Sequence, residues 1–406
     1  MRRHTLVVSD VHLAAPAEDE RDRLLARTID LAQNAAHADH AHLELVLNGD
    51  LFDLDAPPEQ RPADAATYDA CRGPGAPALM RRVLEAHPRV VDVLRRVLVA
   101  GNRLVVVPGN HDAQLVLPGV RVVLSDALRT RGNEPLFRSW FHQTPDGVHV
   151  EHGHQYDPLC VMERMYPEER PGAEGLGVIH RLEDTVGSVG THHGTAIFSQ
   201  MNPYAADPLA GVRGRDVLAA LRASLMQGEM TRVLGATRDL MLVRRRAGPG
   251  AAAADADRLD ALWLDAVARE TGAPRGTLGA HRALFAPKAD ASDVAIAATR
   301  EYDYGADVDA RLRAAMGAIA RLHGARAVVT GHTHDAWLER HRPTGAWLVN
   351  AGSWAPSSLE PRGRTGAPGE PRREVVGTFA HIRNDAAAPG VFAVGLHTVW
   401  PDGSIT

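Results

Sequence analysis

Short apolar runs recur in the first and last parts of the chain, each stopping at a small or polar residue. Residues 5–8, 43–47, 103–107, 120–124 and 148–151, and later 325–330, 347–350, 375–382 and 391–399, read as strands, because runs of this length bounded by Gly, Pro, Asn or Asp suit a buried sheet. Between the early strands the period lengthens. Residues 21–36 read as a helix with Leu24, Leu25, Ile29 and Leu31 on or near one face, and 78–99 as a helix broken near Pro88, whose ring interrupts the hydrogen-bond ladder. The proline-rich, polar stretch 56–77 is too long for a plain connection and is expected to form a functional rim or flap.

From 158 to 323 the strand rhythm stops. A Gly- and Pro-rich part runs to about 214, followed by a proline-free helical pattern over 216–246, a linker-like break at 248–254, and helices at 259–270 and 309–322. In the long helical pattern Val217, Leu221, Leu225, Met230, Val233, Leu234, Leu240 and Met241 form one apolar side, which reads as a packing face rather than a lipid-binding surface. This order predicts an α/β core in two pieces, 1–157 and 324–406, carrying a mainly helical insertion or cap, 158–323.

Composition narrows the class. A chain of 406 residues, 45% hydrophobic and 23% charged, can bury a large core without staples, and its two cysteines, Cys71 and Cys160, cannot form a disulfide framework. A reducing, cytoplasmic compartment is expected. No stretch approaches the roughly 18 apolar residues of a membrane span. The net charge of −5 gives no overall attraction to nucleic acid, and basic and acidic residues nearly balance across the insertion. Oligomeric state is not legible.

The strand ends carry the chemistry. Five of them supply Asp10 with His12, Asp50, Asn110 with His111, His152, and His332 with His334. Carboxyl ends of strands are where α/β sheets gather catalytic groups. Asp, Asn and His together suit Mn²⁺ first, with Fe or Zn²⁺ also fitting, better than Cu(I) or a Ca²⁺ cage. Seven ligands exceed one ion's needs and divide between two ions sharing Asp50; such paired sites serve displacement at phosphorus. His192 and His193 show no partner spacing and read as a solvated pair.

Asp10-Val11-His12, Gly49-Asp50-Leu51-Phe52-Asp53, Gly109-Asn110-His111-Asp112, His152 and Gly331-His332-Thr333-His334 stand in the order found in the calcineurin-like metallophosphoesterases, which the chain resembles over 1–157 and 324–360. The resemblance implies a four-layer α/β/β/α sandwich. It implies one ion held by Asp10, His12, Asp50 and His334 and another by Asp50, Asn110, His152 and His332, with hydrolysis by a hydroxide between them. Asp50 and Asn110 thus serve catalysis as ligands, His111 is expected at the leaving group as acid or charge partner, Asp53 and Asp112 are expected to fix histidine tautomers, and His154 is expected either to touch substrate or to brace its loop.

The segments His152-Gly153-His154-Gln155-Tyr156-Asp157 and Val349-Asn350-Ala351-Gly352-Ser353-Trp354 are similar to the bacterial branch that includes UDP-2,3-diacylglucosamine hydrolases, which are much shorter. A small-molecule, lipid-type or nucleotide-type phosphate substrate is expected. The alternatives are a nuclease, which should show a basic groove, a phosphoprotein phosphatase, and a silent binding scaffold, which should lack ligands or His111.

Overall fold

In the computed structural model, residues 2–14, 19–55, 70–129, 132–171, 178–183, 185, 188, 252–288, 304–354, 376–384 and 392–406 are described. The chain opens with β1 (Arg3–Val8), α1 (Asp19–Ala38), β2 (His42–Asn48), α2 (Ala76–Ala86), α3 (Pro88–Val99), β3 (Arg103–Val107) and α4 (Pro118–Leu128). Then come β4 (Leu136–Phe137), β5 (Phe141–Gln143), β6 (Val148–Glu151), β7 (Glu168–Pro171), β8 (Val178–Arg181), α5 (Ala252–Thr271), α6 (Arg275–Arg282) and α7 (Tyr304–His323). It closes with β9 (Ala327–Thr330), β10 (Trp337–Arg340), β11 (Trp347–Asn350), β12 (Gly377–Asn384) and β13 (Phe392–Val399).

These strands form a six-stranded sheet, β13-β12-β1-β2-β3-β4, and a five-stranded sheet, β10-β11-β9-β6-β5, with β7 and β8 paired apart. Alternation along each strand explains the layers. Val7, Val46, Val105 and Val107 from the first sheet meet Val148, Val150, Val329 and Val349 from the second in one buried cluster. The opposite faces of β1, β2 and β3 offer Leu6, Val8, Leu45, Leu47, Leu104 and Val106 to α1–α4. Beyond the second sheet, Leu312, Met316 and Ile319 of α7 pack on Val328 and Leu348. Strands buried on both faces read as continuous apolar runs, and the result is the expected four-layer sandwich.

Several expectations change. Residues 120–124, read as a strand, lie in α4: Pro118 starts the helix, and Val120, Leu124 and Leu128 bury one face at helical spacing, which a short apolar run alone cannot reveal. Leu31, placed on or near the apolar face of α1, is 43% exposed. α5 already begins at Ala252, inside the stretch read as a linker. α7 lies at the end of the segment read as an insertion, yet forms the outer layer on the second sheet. The helical pattern at 216–246, the pair His192-His193 and most of the 56–77 stretch fall outside the described residues.

On the first sheet, His4, His381 and His397 stand on neighbouring strands, with His381 Nε2 3.2 Å from His4 Nδ1. Burial, and then the mutual repulsion of their charged forms, lowers the pKa of His381 to about 3; burial also lowers those of His4 and His397. The folded chain therefore refuses protons that the unfolded chain accepts near pH 6.5. Stability is fully present above that value and falls as pH drops toward the folded pKa, by about 1.4 kcal/mol per pH unit for each proton refused and less for the partly exposed ring of His397. His381→Gln is expected to reduce the fall in Tm between pH 7 and pH 5; a scan with the wild-type slope would remove the histidine row as its cause.

Candidate active site

The carboxyl ends of β1, β2, β3, β6 and β9 converge. β1, β2 and β3 are mutually parallel, as are β6 and β9, so each sheet delivers its loops at one end. The two sets are stitched together: Asn48 Nδ2 donates to Glu151 O at 3.1 Å, His152 Nδ1 lies 3.0 Å from Asn48 O, and Gly331 N donates to His152 O. Beyond their strands the first two loops stay paired, with Asp10 N bonded to Gly49 O and His12 N to Asp50 O.

All seven expected ligands come together here. Asp10, His12 and His334 offer ligand atoms mutually within 4.8 Å, and Asp50, His152 and His332 do the same. His334 Nε2 is 3.2 Å from Asp10 Oδ1 and 3.3 Å from His12 Nε2. Asn110 Oδ1 joins the second group, 3.2 Å from His152 Nε2. Asp50 Oδ2 lies 3.1 Å from His152 Nε2 and 4.0 Å from His12 Nε2, facing both groups. His12 also belongs to a third set, with Asp53 and His111.

Backbone strain marks the same residues. Among the described residues six other than glycine have φ between 50° and 71°, and five of them are Asp10, His12, Asp50, His332 and His334. This region is uncommon for residues other than Gly, with Asn, Asp and His the side chains that enter it most often, and its cost is tolerated where function fixes the geometry. Two glycines explain the close approach. A Cβ on Gly109 would stand 2.1 Å from Asp50 Oδ1, and one on Gly331 2.2 Å from Asp10 Oδ2, so a side chain at either position would displace a carboxylate.

The electrostatics favour cations. Burial alone would raise the carboxyl of Asp10, yet His152 and His334 hold it down at about 2; Asp50 is likewise well below its ordinary value, against burial, through His152 and His111. Conversely, burial would lower His152, but Asp50 and Asp10 raise it to about 9. Two fully buried carboxylates thus draw positive charge into a pocket whose other ligand atoms are imidazole nitrogens and one amide oxygen. That donor set fits hard-to-borderline divalent ions.

The supporting residues are partly new. Asp157 Oδ2 sits 2.9 Å from His332 Nε2, leaving Nδ1 as the nitrogen able to face an ion, and Ser9 Oγ donates to Asp10 Oδ2 at 2.5 Å. Asn350 Nδ2 donates to Gly331 O at 2.9 Å, and Trp354 N to Asp10 O. Asp112 does not orient a histidine: its oxygens accept the backbone N–H groups of Asp50, Leu51, Phe52 and Gly109, holding two loops together. Asp53 Oδ1 lies 3.5 Å from His111 Nδ1, near enough for an ion pair but without a hydrogen bond. His154 is fully buried with neither ring nitrogen hydrogen-bonded, and its ring lies 5.4 Å from that of His152. His111 and His334 keep 17% and 26% of their side chains exposed, which places the open side of the pocket between them.

Comparison with known proteins places these loops in a wider set. The family model of the calcineurin-like phosphoesterases matches residues 3–222, more than half of the chain. The matched region includes Asp10, His12, Asp50, Asn110, His111 and His152, runs past 157, and ends before His332 and His334. No curated protein matches the chain.

Proposed function

The chain belongs to the calcineurin-like phosphoesterases and is a hydrolase of phosphoric ester bonds, and from that premise we propose that it uses Asp10, His12, Asp50 and His334 for one divalent ion and Asp50, Asn110, His152 and His332 for a second. The observation that carries this reading is Asp50 Oδ2, set between two ligand groups on strained backbone. Mn²⁺ is the ion we expect first, with Fe or Zn²⁺ fitting the same donors. Bound ions would neutralise charge on the phosphoryl oxygens and bring the pKa of a water to about 7.

The chain's own groups do the rest. Asp112 and the backbone of the Gly109 loop keep Asp50 in place, and His111 N donates to Asp50 Oδ1 at 2.8 Å. Burial would lower the pKa of His111, but the Asp50 and Asp53 carboxylates act the other way and raise it well above its ordinary value. Asp53 faces Nδ1, which leaves Nε2 to give its proton to the departing oxygen.

The segment 158–323 selects the substrate in this reading. Its first part reaches the site's rim through a short chain of contacts: Leu54 N bonds His111 O, Arg72 Nη1 lies 3.0 Å from the neighbouring Asp55, and Leu182 N bonds Arg72 O. The substrate we propose is a phosphate ester or diphosphate carrying a bulky, partly apolar group, of the kind the resemblance to UDP-2,3-diacylglucosamine hydrolases suggests, rather than a nucleic-acid strand. A cavity of about 320 Å³ between Arg326, Arg340, Trp347 and Phe392 lies at the amino ends of β9 and β11, away from this chemistry. Both cysteines are free, in keeping with a reducing cytoplasm, and no helix among the described residues is long and apolar enough to cross a membrane.

Replacing 190–250 with a Gly/Ser linker spares Leu312 and the other core residues of α7. The shortened protein is expected to hydrolyse a small generic phosphodiester within a few-fold of the wild-type rate while losing discrimination among large esters. Unchanged discrimination would remove substrate selection from that segment.

A further inference from the structure

Behind the candidate active site, the outward face of β6 carries a second set of ligand-type side chains. Val148 and Val150 point into the space between the sheets, so His149 and Glu151 point the other way, toward α6 and α7. There they meet His281 of α6, and all three are fully buried. His281 Nε2 lies 3.3 Å from Glu151 Oε2, His149 Nε2 lies 3.8 Å from the same oxygen, and the three ligand atoms are mutually within 4.8 Å. Ligands about 2.0–2.1 Å from a tetrahedral zinc stand about 3.3 Å apart, so His281 and Glu151 already have that spacing and His149 has to move in by about 0.5 Å or more.

The surroundings hold these groups as an outer shell would. Trp140 Nε1 donates to Glu151 Oε2 at 3.0 Å, and Tyr156 Oη donates to Oε1 at 2.8 Å while standing 2.9 Å from His281 Nε2. His323 Nε2 lies 3.0 Å from His281 Nδ1, fixing that ring and leaving Nε2 turned toward the carboxylate. Phe141 stacks on His149 at 4.6 Å, and Trp140 covers His281 at 4.2 Å.

A proton shared by Glu151 and His281 would account for that pair. It would leave His149 unexplained: neither of its ring nitrogens has a hydrogen-bond partner, although the residue is wholly buried. Burial lowers its pKa, keeping it in the neutral form that offers a lone pair. A divalent ion gives all three groups a partner and balances the carboxylate charge.

We propose that His149, Glu151 and His281 bind a further transition-metal ion, best matched by Zn²⁺, with Tyr156 Oη as the nearest additional oxygen. The ion fastens α6 to the second sheet, joining groups 130 positions apart in the chain. Since Glu151 precedes His152, it also anchors the strand end that enters the active site. The site shares no ligand with the Asp50 centre, and its existence does not depend on the function proposed for that centre.

Anomalous diffraction from crystals of the full-length protein at saturating zinc, recorded above and below the zinc edge, is expected to show a peak among His149 Nε2, Glu151 Oε2 and His281 Nε2. No peak there, whatever the Asp50 centre holds, overturns the proposal. In solution His281→Gln, which keeps a polar side chain of modest size, is expected to bind one zinc fewer than the wild type and to lose part of the zinc-dependent rise in Tm. Equal zinc content in the two proteins is equally decisive against it.

Discussion

Asp50→Asn is expected to empty both proposed metal positions at once. The substitution is close to isosteric, and the amide oxygen can still accept the N–H of His111 now bonded to Oδ1 at 2.8 Å. What it removes is charge at Oδ2, the atom facing both ligand groups. Replacing an outer-shell partner of a ligand costs about 10- to 100-fold in metal affinity, and loss of a shared ligand should exceed that at both positions. Metal analysis of the purified variant should show two ions fewer than the wild type, with hydrolysis near background. Retention of two tightly held ions at this centre would mean that Asp50 does not bridge.

His111→Ala should separate proton transfer from metal binding. The contact that His111 makes with Asp50 is through its backbone N–H, which alanine keeps, and all seven proposed ligands remain. The ring, poised at Asp53 and partly exposed on the open side, is lost. A positioned acid contributes about 10²- to 10⁴-fold, so kcat on an ester with a poor leaving group should fall by that much at unchanged metal content. A nitrophenolate ester, whose leaving group needs little protonation, should lose far less. Equal losses on both substrates would make His111 an electrostatic support and not a proton donor.

Much of the site was legible because its residues lie at strand ends, where a short apolar run that stops at Asp, Asn or His is readable without knowing the partner strands. Asp10, Asp50, Asn110, His152, His332 and His334 were all found that way. Residues that act through another residue left a fainter mark. Asp157 stands five positions after His152 and reaches His332, far along the chain, while Asp112 serves backbone amides that any carboxylate within reach could accept. The trio of His149, Glu151 and His281 had no spacing to find, since β6 supplies two members and α6 the third. In the fold, β4 and β5 escaped because strands of two and three residues carry no period. The misread 120–124 shows the converse: a β-branched run behind Pro118 satisfies a helix as readily as a strand.

The central claim is hydrolysis at phosphorus by this strand-end centre when it is loaded with divalent ions. It is tested most directly by stripping the protein with a chelator, restoring Mn²⁺, and following hydrolysis of an alkyl phosphodiester in ¹⁸O-labelled water. The account predicts that turnover returns only with the metal, and that one ¹⁸O enters the phosphate product while the released alcohol stays unlabelled. Turnover of the same rate in the stripped protein, or ¹⁸O in the alcohol, would contradict it.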